Sequence, residues 1–190
     1  MGRLKCAILI AVAGCCWLDA RCDTSRPAVF RRKLEHTTEI QGYSCAKGYA
    51  WFYAAGQLER CGVSRETVFG DAHVPAGSII VLRPNGSPRY CFLSHDTLIA
   101  GYRVMGPGWL PVAEGVTTAF YPSGKLKSIY LVEDQAIQGV PCRSGQWGIF
   151  TDPFGGGNHV EFYETGKLRG CKLTRDFSGV RRGQRFIQAP

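Results

Sequence analysis

One short pattern returns four times along this 190-residue chain and constrains its fold more than any other feature. Phe120-Tyr121-Pro122-Ser123-Gly124-Lys125-Leu126-Lys127 reappears as Phe162-Tyr163-Glu164-Thr165-Gly166-Lys167-Leu168-Arg169. An earlier copy is Phe52-Tyr53-Ala54-Ala55-Gly56-Gln57-Leu58-Glu59, and a looser one is Leu82-Arg83-Pro84-Asn85-Gly86-Ser87-Pro88-Arg89. Counted from each turn glycine, the second residue on is Leu58, Pro88, Leu126 or Leu168, and the fifth is Cys61, Cys91, Ile129 or Cys171. The seventh is Val63, Leu93, Leu131 or Leu173, and the tenth is Glu66, Asp96, Asp134 or Asp176. Agreement in residue type at several offsets marks a true repeat, and repeats of this size mean an array architecture. The turn glycines lie 30, 38 and 42 residues apart, so variable loops such as 103–115 and 143–158 absorb the difference.

An aromatic pair, a two-residue turn ending in Gly, and then Lys-Leu-Lys describe a β-hairpin, with Gly free to take positive φ. Alternation breaks between the second and fifth residues after the glycine. Either both faces are covered there, or a bulge shifts the phase. A single hairpin cannot bury its apolar face alone, whereas stacked copies can. The expected fold is therefore all-β: about four stacked antiparallel hairpin repeats forming an elongated sheet or an open β-solenoid. A second signature follows at a similar offset, with Ile137-Gln138-Gly139-Val140-Pro141-Cys142 echoing Ile40-Gln41-Gly42-Tyr43-Ser44-Cys45, and Ile99-Ala100-Gly101 a looser version. High glycine (24 residues) and 12% aromatics suit strands and turns better than a helical bundle.

The stretch Phe120-Tyr121-Pro122-Ser123-Gly124-Lys125-Leu126-Lys127-Ser128 resembles the MORN-variant repeat, a β-hairpin unit of many bacterial proteins, antitoxin-like ones among them. The resemblance covers roughly residues 34–178 and is deepest at the hairpin tips, while the spacing here is longer than those repeats usually show. It implies a hairpin array serving as a binding or scaffolding surface.

The N-terminus reads as a processing signal. Met1-Gly2-Arg3-Leu4-Lys5 is a short basic stretch and the run Cys6 to Ala13 is apolar. Ala11-Val12-Ala13 offers an ordinary signal-peptidase cut before Gly14, whereas Val12-Ala13-Gly14-Cys15 resembles a lipobox, in which Cys15 is lipidated and becomes the new N-terminus. The domain reading is signal peptide 1–14, flexible basic linker 15–33, repeat domain 34–180 and basic C-terminal tail 181–190. Loss of residues 1–14 takes Arg3 and Lys5 and lowers the net charge from +8 to +6. The remaining excess sits at the ends, residues 21–33 and 165–190, while the middle is slightly acidic. Such ends suit anionic lipid or cell-wall polymer, or act as solvated caps that keep an array soluble.

Nine cysteines in a chain with an export signal invite disulfides. The first copy holds Cys45 and Cys61, and the last holds Cys142 and Cys171. The third has Val104 and Ile129 instead, and the second has His73 and Cys91. Paired presence and paired absence point to bridges Cys45–Cys61 and Cys142–Cys171, leaving Cys91 free. Exchange with Val and Ile equally fits cysteine as a small buried hydrophobe. No Cys-x-x-Cys or His-x-x-x-His pair offers a metal site, and no cofactor is expected.

Catalytic signatures are sparse. His95-Asp96 suggests an acid–base pair, but the acid belongs to the repeat, which favours a turn or capping role. No Gly-x-Ser-x-Gly, His-Glu-x-x-His or phosphate-loop pattern occurs. The loop ending at His159, with Trp109, Trp147 and Trp51, is the candidate binding region, and the Phe-Tyr pairs fit either a ligand-binding stripe or ladder packing. The leading expectation is a non-catalytic, exported protein, periplasmic or outer-membrane-associated. It presents a surface to a protein or cell-envelope polymer and reaches the membrane through a lipid anchor if Cys15 is modified. Nucleic acid is not an expected partner, and the exposed end strands leave dimerisation open. The alternatives are a cytoplasmic antitoxin-like protein, or a secreted enzyme with its site in loops 103–115 and 143–159.

Overall fold

The computed structural model describes residues 28–106, 117–145 and 158–189. Every regular element among them is a strand. Ten strands form one antiparallel sheet: β1 (Val29–Leu34), β4 (Gly48–Tyr53), β5 (Leu58–Gly62), β8 (Ile79–Leu82), β9 (Pro88–Phe92), β12 (Thr118–Phe120), β13 (Leu126–Tyr130), β16 (His159–Phe162), β17 (Leu168–Lys172) and β18 (Arg185–Ile187), side by side in that order. The sheet is open, with β1 and β18 at its two edges.

The four repeat copies are the hairpins β4–β5, β8–β9, β12–β13 and β16–β17. Their turns hold three residues rather than two. In the first, the Gly56 N–H donates to the Tyr53 carbonyl at 2.8 Å and the Tyr53 N–H to the Gln57 carbonyl at 2.8 Å, enclosing Ala54, Ala55 and Gly56. Gly56, Gly86, Gly124 and Gly166 all take positive φ (+81 to +88°), the left-handed position that ends this turn. Beyond each turn the register slips by one. Phe52 faces Leu58 but Trp51 faces Arg60, and the same step recurs in the other three hairpins. The broken alternation is thus a bulge, repeated in every copy.

The second signature builds the second layer. Successive repeat hairpins are joined through small hairpins: β2 (Thr38–Ile40) with β3 (Tyr43–Cys45), β6 (Thr67–Phe69) with β7 (Ala72–Val74), β10 (Thr97–Ile99) with β11 (Tyr102–Val104), and β14 (Gln135–Ile137) with β15 (Val140–Cys142). Gln41-Gly42, Ala100-Gly101 and Gln138-Gly139 turn with φ positive at both residues, as a twisted two-residue hairpin requires. A fourth such turn, Ser178-Gly179, is bracketed by a Phe177–Val180 bridge.

These small hairpins cover one face of the sheet, and a single core fills the space between the layers. It takes Phe69, Val74, Ile99, Val104, Ile137 and Cys142 from the small hairpins and Phe52, Leu58, Ile80, Phe120, Ile129, Leu168 and Leu173 from the sheet. The second, fifth and seventh positions after the turn glycines are the inward row that the sequence offsets mark, with the half-buried Pro88 the exception. Sheet structure extends beyond both ends of 34–180. Arg31, Arg32 and Lys33 lie in β1, paired with Trp51, Ala50 and Tyr49, and Arg185–Ile187 pairs with β17.

Both expected disulfides form. Cys45 joins Cys61 and Cys142 joins Cys171, with Cα–Cα distances of 5.7 and 5.6 Å, each tying a small hairpin to the second strand of the repeat hairpin that follows it. The counterpart of Cys45 in the second copy is Val74 rather than His73. Both end the second strand of their hairpin and point inward, whereas His73 is exposed. Val74 and Cys91 therefore stand where the first copy has its bridge. Cys91 is free and fully buried, and burial pushes its thiol up to about 12.

Candidate functional site

Strand alternation sends one residue of each Phe-Tyr pair to each face. Phe52, Phe120 and Phe162 are core. Tyr53, Tyr121 and Tyr163 lie on the outer face, and each hydroxyl donates to a carbonyl farther along the sheet: Leu82 (2.7 Å), Phe162 (2.8 Å) and Gln188 (2.7 Å). In the second copy Arg83 stands in place of the tyrosine and donates through Nη2 to the Phe120 carbonyl (2.9 Å) and through Nη1 to Pro88. Each hydroxyl is thus spent on backbone of a neighbouring part of the sheet, so the tyrosines are clasps along the array rather than free ligand-binding rings.

Three of the four repeated acids are caps, while Glu66 meets His73 Nδ1 at 3.2 Å instead. Asp96 accepts the Gly106 N–H (2.8 Å), Asp134 the Ser144 N–H (2.7 Å) and Asp176 the Arg182 N–H (2.7 Å). His95 contacts the Ser94 hydroxyl instead (3.0 Å), so His95 and Asp96 form no acid–base pair.

What remains on the outer face is a field of cations and rings. Because of the bulge, the third and fourth residues after each turn glycine both point outward. The row across the strands reads Arg31, Trp51, Arg60, Val81, Tyr90, Ala119, Ser128, Glu161, Gly170, Ile187. Beside it lie Lys33 opposite Tyr49, Ile79 opposite Phe92, Tyr130 opposite His159, and Lys172 opposite Arg185. Guanidinium groups sit over the rings: Arg60 on Trp51 at 4.3 Å, Arg31 on Tyr49 at 4.8 Å and Arg89 on Tyr90 at 5.4 Å. Against Arg31, Lys33, Arg60, Arg83, Arg89, Lys127, Arg169, Lys172 and Arg185, the described strands place only Glu59 and Glu161 on this face.

Both carboxylates lie beside cations, Glu161 through hydrogen bonds and Glu59 through an ion pair whose facing atoms are buried and make no hydrogen bond. Glu59 Oε2 lies 3.5 Å from Arg60 Nε; its side chain is 13% exposed against 33% for Arg60, so the cation is the outward partner. Burial raises the Glu59 pKa, opposed by Arg60 and Arg89. Glu161 meets His159 Nε2 at 3.0 Å and Arg185 at 2.9 Å. Burial pushes its carboxyl up, but the hydrogen bond from His159 and the charge of Arg185 outweigh this and hold it below the ordinary value of 4.5.

Of the residues singled out from sequence, His159 lies on this face at the start of β16, beside Tyr130 with 5.9 Å between ring centres. Trp51 lies at the other end of the field. Cys15, Trp109 and Trp147 fall outside the described residues, as does most of loops 103–115 and 143–159. Tyr49, Arg60, Arg89, Tyr90 and Phe92 are surface residues that sequence reasoning missed. The alternation Tyr49-x-Trp51-x-Tyr53 was a usable signal for the first; the others depend on the bulge. Among the described residues no group of three or more His, Cys, Asp or Glu side chains converges as a metal site. The chain matches no protein-family model, no curated protein and no solved structure.

Proposed function

We propose that this chain is an exported, non-catalytic repeat protein of the bacterial cell envelope, of MORN-variant type, whose open sheet is a binding or scaffolding surface. The observation that carries the reading is the outer face. One layer of the sandwich is committed to the core, and the other side of the same sheet presents cations and aromatic rings with its two carboxylates already beside cations. A field of one sign attracts an oppositely charged macromolecule, and a rigid sheet holds the groups in fixed rows. Two buried disulfides support an oxidising compartment, in line with the basic-then-apolar N-terminus and the Cys15 lipobox.

The test is fractionation of the native host with protease added to intact and permeabilised cells. The account predicts the chain in the envelope fraction, beginning at Cys15 and carrying a diacylglyceryl mass. A full-length chain in the cytoplasm, inaccessible to protease until lysis, contradicts it and favours the antitoxin-like alternative.

A further inference from the structure

We propose that the β1–β9 half of the outer face binds a linear acidic polysaccharide laid across the strands along the row Arg31, Trp51, Arg60, Val81 and Tyr90. The inference rests on reading the sheet as a binding face and names the ligand class. In this half the rings are densest: Tyr49 is half exposed, and Trp51, Tyr90 and Phe92 are partly so. Val81, fully buried beneath its neighbours, forms the floor of the row. The guanidinium groups of Arg31, Arg60 and Arg89 lie against ring faces. A ligand laid along the row meets positive charge on β1, β5 and β9 and ring surface on β4 and β9.

That alternation sets the chemistry of the occupant. Its units must carry an apolar ring face to lie on tryptophan or tyrosine and an anionic group to meet arginine. Sugar acids joined in a chain have both. A polyphosphate has charge without rings, and a neutral glucan has rings without charge. Five strands at about 4.8 Å spacing give a strip about 20 Å long, the scale of a few sugar units rather than one. Single-stranded nucleic acid also combines rings with charge. The two buried disulfides fit oxidising surroundings, where such a ligand is scarce, and oligo-dT is the comparator that decides it.

The test uses the full mature chain and fluorescent alginate oligosaccharides as the probe, with a neutral cello-oligosaccharide, polyphosphate, oligo-dT and phosphatidylglycerol vesicles as comparators. Alginate is expected to bind best. The affinity should fall with salt, and by about tenfold in Trp51→Ala and in Arg60→Gln. Arg103→Gln, on the small-hairpin layer, should bind as the unaltered chain does, and non-reducing mass analysis of each variant checks that both disulfides have formed. Failure of alginate to bind, equal binding by any comparator, or indifference to Trp51→Ala overturns the proposal. A chain found in the envelope that ignores alginate loses this inference alone, whereas a chain found in the cytoplasm loses the functional reading beneath it.

Discussion

At the scale of single residues, the repeated tyrosine is a connector. Its hydroxyl donates to a backbone carbonyl farther along the sheet, and Arg83 does the same work where the tyrosine is missing. Tyr53→Phe removes this buried hydrogen bond and should lower stability by about 1 kcal/mol in urea unfolding. Tyr49→Phe, half exposed, should change it by less than about 0.5 kcal/mol. The two outer-face carboxylates should respond to pH with opposite sign. Glu161 has a folded pKa below its unfolded one, so its contribution is present above about pH 4.5 and is lost as pH falls through the folded value. Glu59 has a raised folded pKa, so its ionisation opposes folding as pH rises through that range. Stability-versus-pH curves should show Glu161→Gln less stable than the unaltered chain at pH 7 and Glu59→Gln more stable. The reverse order would refute the assignment. The Phe-Tyr pair was legible in the sequence as a repeat, but not the division of labour within it. Which residue faces the core depends on the register of the facing strand.

At the scale of elements, each copy is a three-residue turn followed by a bulge, and each is followed by a small hairpin folded back over the sheet. Offsets from the turn glycine predicted the inward row correctly because they count along one strand. The Cys45 counterpart is Val74 rather than His73, and the same count carries it: the eighteenth residue after the turn glycine is Val74, Val104 or Cys142. The bulge explains why the outer face could not be counted from sequence: Glu59 and Arg60 lie on one side, where strict alternation would separate them. Two glycines test this geometry. Gly70 turns the β6–β7 hairpin at φ +65°, and a Cβ there would stand 2.4 Å from the Gly124 carbonyl oxygen and 2.8 Å from the Phe120 ring. Gly86 has φ +81° with open space around it. Gly86→Ala should cost about 1–2 kcal/mol, the strain of the left-handed conformation alone. Gly70→Ala adds overpacking and should cost about 3 kcal/mol or more by thermal unfolding. Equal losses would mean that the small hairpin does not rest on the third repeat's turn.

At the scale of the whole molecule, the array has two open edges and a core that each repeat shares with its neighbours. Basic residues sit at both edges, with Arg31, Arg32 and Lys33 in β1 and Arg185 in β18. Like charges on edge strands discourage copies of the chain from pairing edge to edge. The sequence showed the basic ends but not that they are strands, because neither carries the repeat pattern. Phe30 and Arg32 lie over Phe52 at one end of the core, and Phe177 packs on Phe186 at the other. The disulfides fall in the first and last repeats, which lack a full neighbour on one side; the middle copies make do with Val74 and Cys91, or Val104 and Ile129. The end repeats are therefore where a covalent tie adds most. Replacing Cys142 and Cys171 with the third copy's Val and Ile should keep the core apolar and still lower stability by about 3–4 kcal/mol through the lost cross-link.

The central claim is a two-layer array stapled at both ends in an oxidising compartment. It is tested most directly by non-reducing peptide mapping of the chain purified from its native host, with free thiols alkylated first. The account predicts linked peptides Cys45–Cys61 and Cys142–Cys171, with Cys91 recovered as a thiol that alkylates only after unfolding. Alkylation of all five in the folded chain, or bridges joining other pairs, would contradict it.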